Sequence, residues 1–152
     1  MNSRLRILIF LVFVLAVASV LEFKAVQQGW LLPRPQLALN GQPALLFFTL
    51  SDGCECQMTI IRRAATQVAF WELPDHLAIN IIRIDFDLQP KVALYYDVAR
   101  APALVLVDAQ GKPIWKQDVG VSDAKPLDLD EAEAQISALL SSQEGSHADR
   151  EI

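Results

Sequence analysis

From Ala44 to Phe48 the chain is apolar without a break: Ala44, Leu45, Leu46, Phe47 and Phe48 follow Gly41 and Pro43 and lead toward the polar turn Ser51-Asp52-Gly53. A short continuous apolar run bounded by turn residues predicts a strand buried on both faces. Past the turn the period changes. Met58, Ile61, Ala65 and Val68 recur at helical spacing while Arg62, Arg63, Thr66 and Gln67 fall on the other side, so a helix begins between Cys54 and Gln57. It is expected to run to about Leu73 and to stop before Pro74. Ile79 to Asp85 is a β-branched strand, and a helix between two such strands makes the βαβ unit of a parallel sheet.

The remaining pattern is shorter in period. Pro90 to Tyr96 predicts a short helix with proline in its first turn. Ala101 to Val107 predicts a strand, Asp108 to Gly111 a turn, and Lys112 to Val119 its hairpin partner. Leu129, Ala132, Ile136, Leu139 and Leu140 line one side of a closing helix. Leu37 to Leu39 reads as a short edge strand, and 141–152 as a polar, frayed tail.

The N-terminus has a different character. Arg4 and Arg6 precede an apolar stretch from Ile7 to Leu21 that ends at Glu22. This stretch is short for a full span of roughly 20 residues and long for a signal-peptide core. Residues 1–23 are read as a signal anchor or transmembrane helix, with cleavage after a small-x-small site at Ala16-Val17-Ala18 and a buried helix as alternatives. The first two export the rest of the chain, and the two arginines favour a cytoplasmic N-terminus. Residues 24–36, interrupted by Gly29, Pro33 and Pro35, form a linker in which Trp30 lies at a membrane interface or packs on the domain. The organisation expected is thus anchor, linker, a domain at 37–140 and a tail at 141–152. That places the protein in a membrane, single-pass, with the domain periplasmic or extracellular, or secreted if the signal is cleaved.

Composition narrows the partners. With 152 residues, 53% of them hydrophobic, there is room for one modest domain and an extra segment. A net charge of −5 argues against nucleic acid, which needs a basic surface. Two cysteines, Cys54 and Cys56, are the whole supply: one redox pair and no separate disulfide framework. Both fall where the helix begins. There the unpaired N–H groups and the helix dipole favour a thiolate over a thiol.

The strand-to-helix passage Arg83-Ile84-Asp85-Phe86-Asp87-Leu88-Gln89-Pro90, the approach Tyr95-Tyr96-Asp97-Val98-Ala99-Arg100-Ala101-Pro102 and the turn Asp108-Ala109-Gln110-Gly111-Lys112-Pro113 join the cysteine loop in a set. From Leu37 to Leu140 the chain resembles the thioredoxin-like proteins. The resemblance implies an α/β thioredoxin-like fold, a central mixed β-sheet flanked by helices, here preceded by the N-terminal hydrophobic helix. It also implies that Pro102 is a cis-proline facing the redox cysteines, with the backbone of Ala101 pairing with an extended substrate. The departures are specific. Redox-active members carry Cys-x-x-Cys after an aromatic residue, whereas Cys54-Glu55-Cys56 follows Gly53. The family's buried acid would fall among Leu46 to Phe48, where there is none, and its helix-kinking proline near Ile61.

A disulfide between cysteines one residue apart closes a small ring whose strain eases its reduction, so the pair is expected to donate oxidising equivalents or isomerise. Cys54 is the attacking thiol and Cys56 the resolving one. Glu55 tempers thiolate formation by its charge. The expected activity is thiol–disulfide exchange on protein or small-molecule thiols and disulfides, without a cofactor or a bound metal. Two other classes compete. One is copper binding or delivery, since two thiolates suit a soft ion, although His76 and His147 read as solvated loop and tail residues. The other is a non-catalytic adaptor. Asp85 and Asp87 read as turn residues, Arg62-Arg63 as a solvated helix face, and Trp71 and Trp115 as packing residues.

Overall fold

The computed structural model describes residues 10–21, 35–117 and 122–148, with side chains as far as Ser142. The chain divides into two compact units, Met1–Arg34 and Pro35–Ile152. In the first, α1 occupies 10–21 and exposes its apolar side chains, Phe10, Phe13 and Leu21 among them. Among the described residues no helix is long and apolar enough to cross a membrane. Arg4, Arg6, the linker through Arg34 with Trp30, Val119, Gly120 and the last four residues lie outside the described set.

In the second unit the central strand is β1, Ala44–Thr49, buried at all six positions. Strand β2, Asn80–Asp85, runs parallel to it, Ala44 opposite Asn80 and Thr49 opposite Asp85. Between them lies α2, Glu55–Ala69, which completes the βαβ unit. On the other side of β1 comes β3, Ala103–Val107, antiparallel, with Phe48 opposite Ala103. Strand β4, Pro113–Gln117, returns antiparallel to β3, giving the order β2-β1-β3-β4. Helix α3, Pro90–Tyr95, lies between β2 and β3, and α4, Leu129–Ala148, closes the unit.

Alternation along β1 sends its side chains to two cores. Leu46 and Phe48 pack with Ile84, Ala93, Tyr96 and Val105 on the α3 side. Leu45 and Phe47 pack with Ala64 of α2 and with Leu129, Ala132 and Ile136 of α4 on the opposite side. The sheet is therefore covered on both faces, which is why β1 needs no polar alternation. Trp71 and Trp115 pack against the second core, as expected of them.

Three boundaries differ from expectation. Helix α2 ends at Ala69, where the Phe70 N–H is shared between the carbonyls of Thr66 and Val68. At 3.6 residues per turn Leu73 would fall opposite Ala64, so the chain leaves the helix to bring Leu73 onto the same core. Leu37–Leu39 is not a strand; tight turns with Leu37 N–H on the Pro35 carbonyl and Leu39 N–H on the Leu37 carbonyl drop both leucines onto the first core. Helix α4 continues to Ala148, past the point where a frayed tail was expected. Its serines turn inward on their own helix: Ser141 Oγ bonds the Ser137 carbonyl at 2.6 Å and Ser142 Oγ the Leu139 carbonyl at 2.6 Å.

Helix α4 is also tied to α2 before it begins. The Gln67 amide donates to the Leu127 carbonyl and accepts from the Leu127 N–H, both at 3.1 Å, so this residue of the polar face is a structural link. Asp128 then caps α4, its Oδ1 accepting from the Glu131 N–H at 3.2 Å.

The β3–β4 turn requires one glycine. Gly111 has φ +76°, and a Cβ there would stand 3.2 Å from Leu39 Cδ1, while its carbonyl accepts from Tyr96 Oη at 3.1 Å. Gly111→Ala is expected to lower stability by about 1–2 kcal/mol, seen as a lower urea midpoint at unchanged slope.

Candidate redox site

Strand β1 ends at Thr49, and the segment from Leu50 to Gly53 turns the chain into α2. Asp52 Oδ1 accepts the Gly53 N–H at 2.8 Å and shapes the turn. Cys54 is the N-cap residue, extended at φ −66° and ψ 154°, and its carbonyl accepts the first helical bond, from the Met58 N–H at 2.9 Å. Glu55 and Cys56 open the helix. Both cysteines are exposed, and their sulfurs stand 2.6 Å apart.

The two thiols are inequivalent. The hydrogen bond from Cys56 lowers the Cys54 pKa, assisted by the N–H groups of Gln57 and Cys56 at the helix start and opposed by partial desolvation. Cys56 is pushed up, first by that same hydrogen bond, then by desolvation and the charge on Cys54. The two shifts run in opposite directions. The partner thiol is the largest cause of both shifts; the helix-start N–H groups lower both, as the position of the pair suggested, but at Cys56 they are outweighed.

Glu55 points away along α2 and pairs with Arg62, whose guanidinium also reaches Thr59 Oγ1 at 3.4 Å. Arg62 is therefore part of the solvated face but not idle on it. As an exposed pair the bridge adds little stability. Ala101 and Pro102, both half-buried, precede β3, and the peptide bond between them is cis. Because Phe48 pairs with Ala103, they lie at the end of the sheet where β1 runs into the cysteine turn. His76 sits in a 3₁₀ turn, Asp75–Leu77, beyond the C-terminal end of α2, remote along that helix from the cysteines. Among the described residues no three His, Cys, Asp or Glu side chains group as a metal site.

Asp85 does more than solvate a turn. Its Oδ1 accepts from the N–H groups of Asp87 and Leu88, each at 3.0 Å, and its Oδ2 accepts from Ser51 Oγ at 2.5 Å. The last of these latches the loop after β2 to the loop that carries the cysteines. The only signal in the sequence was an aspartate at a strand exit, and Ser51 is thirty-odd positions away. The Ser51 hydroxyl, then the Leu88 and Asp87 N–H groups, hold the Asp85 carboxyl below its ordinary value against slight desolvation. A depressed folded pKa stabilises the native state above the unfolded value of 3.8 and loses that contribution as pH falls through the lower folded value. Urea midpoints measured below about pH 4 should fall more steeply for the wild type than for Asp85→Asn.

A mixed sheet in the order β2-β1-β3-β4, cysteines at the start of the βαβ helix and a cis-proline at the head of the antiparallel strand make this a thioredoxin-like fold with Cys-x-Cys in place of Cys-x-x-Cys. No family model matches the chain, and no curated protein matches it. Similar solved structures include a mutant thioredoxin from Halobacterium salinarum, 19% identical with a TM-score of 0.43 over 65% of this chain and 75% of that one. Thioredoxin NaTrxh from Nicotiana alata is 20% identical with a TM-score of 0.41, over 64% and 73%. A DsbH oxidoreductase is 17% identical with a TM-score of 0.42, over 63% and 73%.

Proposed function

We propose that the protein is a thiol–disulfide oxidoreductase working through Cys54 and Cys56, tethered to a membrane by its N-terminal apolar segment with the thioredoxin-like domain on the extracytoplasmic side. The observation that carries the chemistry is the pair itself: two exposed sulfurs 2.6 Å apart at the start of α2, the pKa of Cys54 lowered and that of Cys56 raised. Cys54 attacks a disulfide and forms a mixed disulfide; Cys56 then displaces the client thiol, leaving the Cys54–Cys56 disulfide. Run backwards, the same steps oxidise a dithiol client. Ala101 offers its backbone to the client beside Pro102. Glu55 tempers the thiolate, and Arg62, by pairing with it, softens that effect. The tether draws on the exposed apolar side chains of α1 and on Arg4 and Arg6 before it.

Redox titration of the full chain against glutathione, followed by alkylation and mass, tests the chemistry. A reversible two-electron transition with a defined midpoint is expected. Extraction of membranes at alkaline pH, with an alkaline phosphatase fusion reporting the side of the domain, tests the tether: the chain should stay with the lipid and the fusion should be active.

A second reading, soft-metal handling, has one observation in its favour. The Met58 sulfur lies 3.6 Å from where a side chain on Gly53 would begin, bringing a third sulfur to the cysteine turn. Absence of an intramolecular disulfide at any poise, together with tight Cu(I) binding, would favour it over exchange.

A further inference from the structure

One helical turn past Cys54, a groove of about 440 Å³ opens between α2 and the ends of β1 and β2. Its size falls in the range of ligand-holding clefts. Met58, Ile61 and Ala65 give it an apolar wall, and Arg62, Arg83 and Asp85 supply its charges. The charges differ in what they already hold. Asp85 accepts from Ser51, Asp87 and Leu88 with its two oxygens. Arg62 is engaged by Glu55. Arg83 is exposed, lies over the Phe47 ring 5.6 Å from its centroid, and has no carboxylate partner among the described residues. A guanidinium stacked on a ring face keeps the N–H groups at its edge directed outward, in the fork that fits a carboxylate. On a chain with a net charge of −5, this cation stands out as a local attractor for an anion.

We propose that this groove is a specificity subsite for peptide disulfides, receiving an acidic residue next to the reacting cysteine. The carboxylate of that residue pairs with Arg83, and its methylenes lie against Met58 and Ile61. The apolar wall favours a peptide over a small hydrophilic thiol, which would leave it uncovered. The assignment rests on the exchange chemistry proposed above. In that reaction the Cys54 thiolate attacks the client sulfur, the client S–S bond breaks, and the leaving thiolate takes a proton from water. Cys56, giving its proton to water, then attacks the Cys54 sulfur and releases the second client thiol, which is protonated in turn. Two electrons pass from the protein dithiol to the client disulfide.

The test uses the reduced full chain and blocked peptides that differ only in a Glu, Gln or Lys beside one cysteine, activated as its 2-thiopyridyl disulfide. Release of 2-thiopyridone gives the rate. At low salt the Glu peptide should react about five- to tenfold faster than the Gln peptide, with the Lys peptide slowest, and 0.5 M salt should shrink the difference. In Arg83→Gln the Glu/Gln ratio should fall to within about twofold, and in Arg83→Lys part of it should return. The readout is a ratio on one protein sample, so a loss of folded material does not move it. Equal rates with Glu and Gln, or a preference that survives Arg83→Gln, overturn the subsite and leave the exchange chemistry standing. An Arg83-dependent preference for glutathione disulfide over cystamine, with none among the peptides, overturns the peptide assignment. Failure to release thiopyridone from any peptide removes the exchange chemistry and the subsite with it.

Discussion

Cys54→Ser should abolish disulfide exchange, with a loss on the order of a thousandfold or more, whereas Cys56→Ala should abolish turnover yet accumulate a stable mixed disulfide on Cys54. The asymmetry follows from the two thiols. Cys54 takes the hydrogen bond from Cys56 and the helix-start N–H groups, which lower its pKa. Cys56 is raised, first by its hydrogen bond with Cys54, then by desolvation and the charge on Cys54, and under the exchange proposed above those two Cys54 contributions end once Cys54 is in a mixed disulfide. Non-reducing gels and intact mass after exposure to a disulfide peptide distinguish the two variants. Cys56→Ala makes a further prediction with a fixed sign. Removing the donor that lowers the Cys54 pKa should raise the pH at which Cys54 alkylates, toward the value of about 8.5 for a free cysteine. Unchanged client binding in Cys54→Ser, with no exchange by the wild type, would point to the adaptor class.

Phe48→Ala should be the costliest of the substitutions in the fold, at about 3–5 kcal/mol. Phe48 is fully buried on the central strand and meets the Tyr96 ring edge-on at 6.5 Å between centroids. It also joins the core containing Ile84 and Ala103, so a cavity there borders both neighbouring strands. Against a typical total of about 5–15 kcal/mol, that loss would leave the domain marginal at best. Urea unfolding followed by tryptophan fluorescence measures it.

The four strands of the sheet and the place of the two cysteines were legible because their signals are local. Ala44 to Phe48 is a continuous apolar run between turn residues, and the change of period after Gly53 places the start of α2 between Cys54 and Gln57, where Glu55 begins it. The cis bond before Pro102, implied by resemblance, is present. What escaped was decided across the fold. Leu73 leaves the helix because a core lies opposite its helical position, and no periodicity within the segment records that. The Asp85–Ser51 latch and the Gln67–Leu127 pair join residues far apart in sequence, each of them an ordinary polar residue in its own neighbourhood. Arg83 read as one polar position in a β-branched strand; its place in the groove depends on α2 crossing over it.

The strand order carries a consequence for synthesis. β1 is the first strand of the sheet to leave the ribosome, yet both of its neighbours come later: β2 only after the whole of α2, and β3 only after α3. At roughly 5–20 residues per second, the segment Ala-Leu-Leu-Phe-Phe-Thr spends seconds without a partner. It is β-prone, uncharged and free of proline, the kind of stretch that pairs with another copy of itself. The strand that holds the finished domain together is thus its most exposed liability while the chain is being made, and a nascent chain stalled before Val107 is the species a holding chaperone would need to cover.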